Sequence, residues 1–139
     1  MSSPLSESGP GVNQVVNLTG PGPAVAVVQL VSKLSVKDNL SEAALQIQRA
    51  ALQGAKLIML PESFAVFGDP QMVSYGAEAS IPKSGLRLWL SQQAQANKVW
   101  LIGGTIPCQG GISDFKKVRS ACFVYDHEGA EVARYDKIH

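Results

Sequence analysis

Lys56-Leu57-Ile58-Met59-Leu60-Pro61-Glu62-Ser63 is the stretch whose reading decides the fold: an unbroken apolar run from Leu57 to Leu60, closed by a proline and followed at once by a carboxylate. A strand that is apolar at every position, rather than at every second one, is buried on both faces, as in a parallel sheet between layers. Pro61 has no N–H to give to a ladder, so the strand must end there. Glu62 then lies just past the C-terminal end of a buried strand, where open α/β sheets gather their reactive groups.

The pattern extends in both directions. Upstream, Ala24-Val25-Ala26-Val27-Val28-Gln29-Leu30-Val31 is a second buried strand, and Ser35-Val36-Lys37-Asp38 fits a capping box that opens a helix. Leu40, Ala44, Ile47 and Ala51 recur at helical spacing and predict the buried face of that helix. Gly54 stands where a left-handed residue after the helix is wanted. Downstream, Pro82 to Asn97 reads as a helix with Leu86, Leu90 and Ala94 on one face, and Val99-Trp100-Leu101-Ile102 is a third buried strand ended by Gly103-Gly104. Beyond Pro107, Val118 to Tyr125 and Ala130 to Tyr135 flank the turn Asp126-His127-Glu128-Gly129 and predict an antiparallel hairpin. The order is β-α-β-α-β and then a hairpin, which places the chain in the α/β class, with one mixed sheet and flanking helices. Residues 1–23 are rich in Ser, Gly and Pro and end in Gly20-Pro21-Gly22-Pro23, so they are expected to form a disordered leader to a domain over 24–139.

Composition narrows the partners. The 139 residues suit one domain, and 12 basic against 11 acidic residues leave a net charge of +1, which gives no reason to expect nucleic acid or an anionic membrane. No apolar run approaches the roughly 20 residues of a membrane helix, and no secretory signal pattern opens the chain. Cys108 and Cys122 make no disulfide framework, so a reducing cytoplasm is the expected location. His127 and His139 lack the spacing of zinc ligands, and no metal is expected. Gly103-Gly104 lacks the rest of a dinucleotide fingerprint and no P-loop is present, so no organic cofactor is expected either.

Three strand exits could carry chemistry: Pro61-Glu62, Gly103-Gly104-Thr105 and Asp136-Lys137. A carboxylate against a buried strand end is expected to be poorly solvated, which raises its pKa and suits it to general-base work. A nearby lysine could hold it ionised and could stabilise an oxyanion. On spacing alone, the favoured readings are a surface loop carboxylate for Glu62 and an exposed lysine at a strand end for Lys137.

The wording around these residues resembles the nitrilase superfamily of carbon–nitrogen hydrolases. Leu57-Ile58-Met59-Leu60-Pro61-Glu62-Ser63-Phe64 is similar to the segment that carries the family's catalytic Glu, and Tyr135-Asp136-Lys137-Ile138-His139 to the one that carries its catalytic Lys. Ala26 to Leu30, Asn39-Leu40 with Gly54-Ala55, Leu101 to Pro107, and the hairpin residues Ser120 to Tyr125, Gly129 and Val132 to Arg134 resemble other family segments in the same order. The resemblance implies part of an α-β-β-α sandwich, without its C-terminal half. It implies a Glu–Lys–Cys mechanism, with Glu62 as base, Lys137 as oxyanion donor and no cofactor. The implied substrate is a small amide, as for omega-amidase-like members, or a nitrile.

The family's nucleophilic Cys follows the Lys segment, so the chain is expected to stop before it and to be inactive alone. Cys122 reads as a small buried hydrophobe in a strand. Cys108 reads as a loop thiol near the correct end of the sheet, though no family segment supports it as a nucleophile. With half of a sandwich missing, one sheet face is expected to be apolar and uncovered, and the full-length form is expected to be a homo-oligomer. Three readings remain open: a truncated amidase-type hydrolase, a non-catalytic family member that associates with a partner, and an unrelated α/β binding module.

Overall fold

The computed structural model describes residues 14–18, 24–31, 35–66, 71–109 and 118–137. Strand β2 (Val25–Gln29) leads into helix α1 (Val36–Leu52), then strand β3 (Leu57–Met59), helices α2 (Gln71–Ala79) and α3 (Gly85–Asn97), and strand β4 (Trp100–Ile102). Strand β5 (Ile106–Gln109) precedes a hairpin of β6 (Val118–Tyr125) and β7 (Glu131–Asp136), and strand β1 (Gln14–Leu18) precedes β2. The sheet order is β1-β2-β3-β4-β6-β5, with β7 on the other edge of β6. Neighbours β2, β3 and β4 are parallel, and all other pairings are antiparallel. The sheet is mixed, as read from the sequence, and includes two strands, β1 and β5, beyond those read there.

Burial alternates along the strands. Ala26 and Val28, Ile58, Leu101, and Ala121, Phe123 and Tyr125 face the helices and are buried. The opposite face carries Val25, Val27, Leu57, Ile102, Cys122 and Val124, which are half-buried, together with Met59 and Trp100, which are exposed. Among the described residues, an apolar and partly exposed face of the kind expected from the sequence is therefore present. No helix of the described residues is long and apolar enough to cross a membrane.

Local rules account for the ends of α1. The Ser35 side chain accepts from the Asp38 N–H at 3.2 Å. Gly54, at φ +98, lets the Gly54 and Ala55 N–H groups reach the carbonyls of Ala51 and Ala50, a Schellman ending. The buried face, however, is Val36, Asn39, Ala43, Gln46, Ile47 and Ala50, about one residue around the helix from the face predicted. Two polar residues lie on that face: Asn39 donates to the Ala65 carbonyl at 2.9 Å, and Gln46 donates to Glu42 at 3.0 Å while its own amide oxygen stays buried without a partner among the described residues.

Four other expectations are corrected. The leader assigned to 1–23 includes β1, whose five residues pair antiparallel along β2; the rest of that range lies outside the described residues. Pairing with a ready edge gives this short segment, which includes adjacent β-branched residues, the hydrogen bonds it could not make alone. Helix α3 starts at Gly85 rather than Pro82, because Lys83 stands at φ +60, outside helical geometry. Helix α2, unseen in the sequence, has Gly76 at its centre, where a Cβ would collide with the Val118 side chain. That glycine weakens the helix signal but lets α2 lie close on the sheet. The segment read as a loop around Cys108 is β5, paired with β6 from Ile106↔Ala121 to Gln109↔Val118. Pro107 obscured it, since proline enters sheets only at tolerant positions.

Candidate active site at the strand exits

Strand β3 delivers Glu62. The Leu60 N–H continues the ladder onto the Ile102 carbonyl at 2.9 Å, and Pro61 turns the chain away. Leu60 and, two residues past Glu62, Phe64 are both buried, and Phe64 packs on Trp89 with ring centroids 5.7 Å apart. Glu62 thus stands at the tip of a turn whose two feet are in the core. Phe64 is core, and Tyr75 packs against that core.

Strand β7 delivers Lys137. Its N–H donates to the Ser120 carbonyl at 2.8 Å, extending the β6–β7 ladder by one step. The side chain then reaches back to the β3 exit, where Lys137 Nζ donates to Glu62 Oε1 at 2.6 Å across 75 residues of chain. The two groups that the sequence singled out therefore meet at a common rim of the sheet.

Their environment differs from expectation in one respect. The Glu62 side chain is 58% exposed and that of Lys137 is 42% exposed, so the poorly solvated carboxylate inferred from its place after a buried strand is not what is observed. Pro61 ends the strand a residue early and carries the carboxylate out over the rim. An exposed ion pair of this kind is worth only about 0–1 kcal/mol of stability. It is a charge-assisted contact that a reacting group can displace at small cost.

The third exit supplies a part not seen in the sequence. The Ser63 N–H donates to Thr105 Oγ1 at 2.9 Å. Ser63 itself is left-handed, at φ +53. Gly104, at φ +61, lies so close under the turn that a Cβ would collide with the Pro61 carbonyl oxygen. Gly103-Gly104 was legible as a strand ending, but a backbone-to-backbone fit between two loops has no sequence period to reveal it.

Neither cysteine joins the pair among the contacts described. Cys108 is a buried β5 residue whose thiol donates weakly to the Ala79 carbonyl and accepts from Arg134. Burial pushes its pKa up, opposed in part by the Arg134 and Arg87 charges. That is the reverse of an activated thiolate. Burial likewise raises the Cys122 thiol. Among the described residues no group of three or more His, Cys, Asp or Glu could hold a metal ion.

Comparison with known proteins adds the context. The chain matches the carbon-nitrogen hydrolase family profile over residues 24–139. It is 34% identical over 116 residues to the omega-amidase NIT2 of Homo sapiens, covering 83% of this chain and 40% of that protein. It is 36% identical over 117 residues to the omega-amidase NIT2 of Danio rerio, covering 83% of this chain and 39% of the relative. Among solved structures, Saccharomyces cerevisiae Nit3, of branch 10 of the nitrilase superfamily, superposes with a TM-score of 0.72 at 33% identity, over 83% of this chain and 44% of that one.

Proposed function

The chain belongs to the carbon–nitrogen hydrolase family, and from that premise we propose that Glu62 and Lys137 are two of the three groups of a Glu–Lys–Cys hydrolysis of a small amide. The observation that carries this reading is the 2.6 Å contact between Lys137 Nζ and Glu62 Oε1 at the strand exits. A carboxylate there can take the proton of a thiol, and the thiolate can attack the amide carbon. The ammonium beside it donates to the oxygen as negative charge develops. Collapse of the adduct breaks the C–N bond, and Glu62 returns its proton to the departing ammonia. The acyl group stays on sulfur as a thioester until a water, deprotonated by Glu62, attacks it and releases the acid.

The thiol is the group these 139 residues do not place at the rim. The chain spans about 40% of the length of the curated relatives it matches, and neither Cys108 nor Cys122 has a described contact with the pair. On this reading the 139-residue chain alone releases no ammonia from amides. The relatives named omega-amidases favour a terminal carboxamide as substrate over a nitrile.

The test is a chimera in which residues 24–139 replace the matching segment of the human relative. It should release ammonia from a small terminal carboxamide and lose that activity on Glu62→Gln or Lys137→Ala. Turnover retained in either variant would overturn the roles assigned to these side chains. Non-catalytic association with a partner chain is a second reading, favoured by the exposed apolar side chains of Met59 and Trp100 on one sheet face. A folded chimera with no amidase activity would support it.

A further inference from the structure

We infer that Thr105 is a positioning residue that fixes Glu62 in register with Lys137; this rests on the base role proposed for Glu62. The turn that presents the carboxylate is strained. Ser63, the next residue, is a non-glycine in the left-handed region at φ +53, a conformation that persists only where the surroundings over-determine it.

The surroundings here are specific. The Ser63 N–H, turned out of any ladder by that φ, finds the Thr105 hydroxyl at 2.9 Å. Gly104, left-handed and without a Cβ, lets the β4 exit pass directly beneath the Pro61 carbonyl. On the far side of the turn, Asn39 of α1, itself buried, donates to the Ala65 carbonyl at 2.9 Å. Glu62 therefore sits between two side-chain clamps, one from the β4–β5 connection and one from α1, and the first holds the residue next to the carboxylate.

Lys137 has no comparable loop to hold, since its backbone is already fixed by the ladder bond to Ser120. The register of the pair thus depends on the Glu62 side of the contact. A threonine does here what a strand hydrogen bond cannot do once Pro61 has ended the strand. In the contacts described, each clamp holds backbone that flanks Glu62, so both act by placing Glu62.

Carbodiimide coupling of the 139-residue chain reads this directly. The reagent joins a carboxylate to an amine within contact distance as an amide, with loss of one water, and peptide mass mapping identifies the Glu62–Lys137 product. The wild-type chain should form that product. Thr105→Val, which keeps the volume and removes the acceptor, should slow its formation about fivefold, the equivalent of one neutral hydrogen bond. Thr105→Ser should restore the wild-type rate. Thr105→Ala removes the same acceptor without a second buried methyl and serves where the valine variant does not fold.

A general loss of stability would lower the melting temperature but leave coupling unchanged well below it. Wild-type coupling rates in folded Thr105→Val or Thr105→Ala would overturn the positioning role and leave the Glu62–Lys137 reading intact. Absence of the product in the wild type would remove the reading on which the role rests.

Discussion

Strand β7 has an ion pair at each end, and the two are built on opposite plans. At its first residue, Glu131 receives both Nε and Nη2 of Arg87 at 2.9 and 2.8 Å and the Tyr125 hydroxyl at 3.1 Å. The Arg87 side chain is only 7% exposed, stacks on the Phe123 ring and also donates to the Ala79 carbonyl. Just past the last residue of β7, Lys137 meets Glu62 through one 2.6 Å contact, open to water on both sides. The first pair ties α3 to the hairpin and is expensive to disturb. The second is open to water and is cheap to part. The proton-transfer role proposed for Glu62 calls for the second plan, and a pair that holds a helix to a sheet for the first.

The largest expected effect separates chemistry from stability at the open rim. In the chimera with the human relative, Glu62→Gln should lower ammonia release by about 10²–10⁴-fold, the usual contribution of a general base. The same change should move the unfolding free energy by less than about 1 kcal/mol, as for any exposed pair. A large stability loss with little loss of rate would show that Glu62 is a strut and not a base.

At the buried end the balance reverses. Arg87→Met should destabilise the chain by about 2–4 kcal/mol, because Glu131 loses its counter-charge and the Ala79 carbonyl keeps only the weak Cys108 thiol as donor. Replacing both partners, Arg87→Met with Glu131→Leu, should recover part of that loss. Denaturant midpoints at constant slope measure both. An Arg87→Met cost below about 1 kcal/mol would erase the contrast between the two pairs.

The sequence made these two ends unequally legible. Glu62 and Lys137 stood out because strand endings are readable: Pro61 stops β3, and Asp136-Lys137 closes a hairpin whose turn was plain. The parallel strands, α1, α3 and the hairpin followed from apolar runs and spacing. Arg87 and Glu131 gave no signal, since an arginine on a helix and a glutamate opening a strand are ordinary surface residues until tertiary packing brings them together. The polar members of the α1 face, Asn39 and Gln46, were hidden for the same reason: their burial depends on partners far along the chain or a turn away. The exposure of Glu62 was misjudged because burial of a strand does not extend past the proline that ends it.

The buried pair should also set the alkaline limit of stability. Burial first, and then the neighbouring Glu131 charge, raise the Tyr125 hydroxyl well above the usual tyrosine range, and burial raises the Cys108 thiol. For both groups the folded state holds its proton at pH values where the unfolded chain has released it. The stabilisation is therefore complete below the ordinary pKa values and is lost as pH rises, at up to about 1.4 kcal/mol per pH unit for each group once pH exceeds about 9 for the thiol and 10 for the phenol. Melting temperatures measured from pH 7 to 11 should fall along this limb. Tyr125→Phe should flatten it above about pH 10. An unchanged slope in Tyr125→Phe would assign the limb to other groups.

The smallest effect is the one that defines the open pair. Lys137→Met should change the unfolding free energy by less than about 0.5 kcal/mol, and raising the salt to about 1 M should reduce even that, because an exposed contact is screened over a Debye length of about 3 Å. The backbone around it should not respond, since the Leu60 and Lys137 N–H groups are held by Ile102 and Ser120 and the Ser63 N–H by Thr105. Amide hydrogen exchange at Leu60, Ser63 and Lys137 should therefore be the same in low and high salt. Faster exchange at those amides on adding salt would mean that the two charges hold the rim together. Glu62–Lys137 would then be a structural tie like Arg87–Glu131, and too costly to open for a substrate.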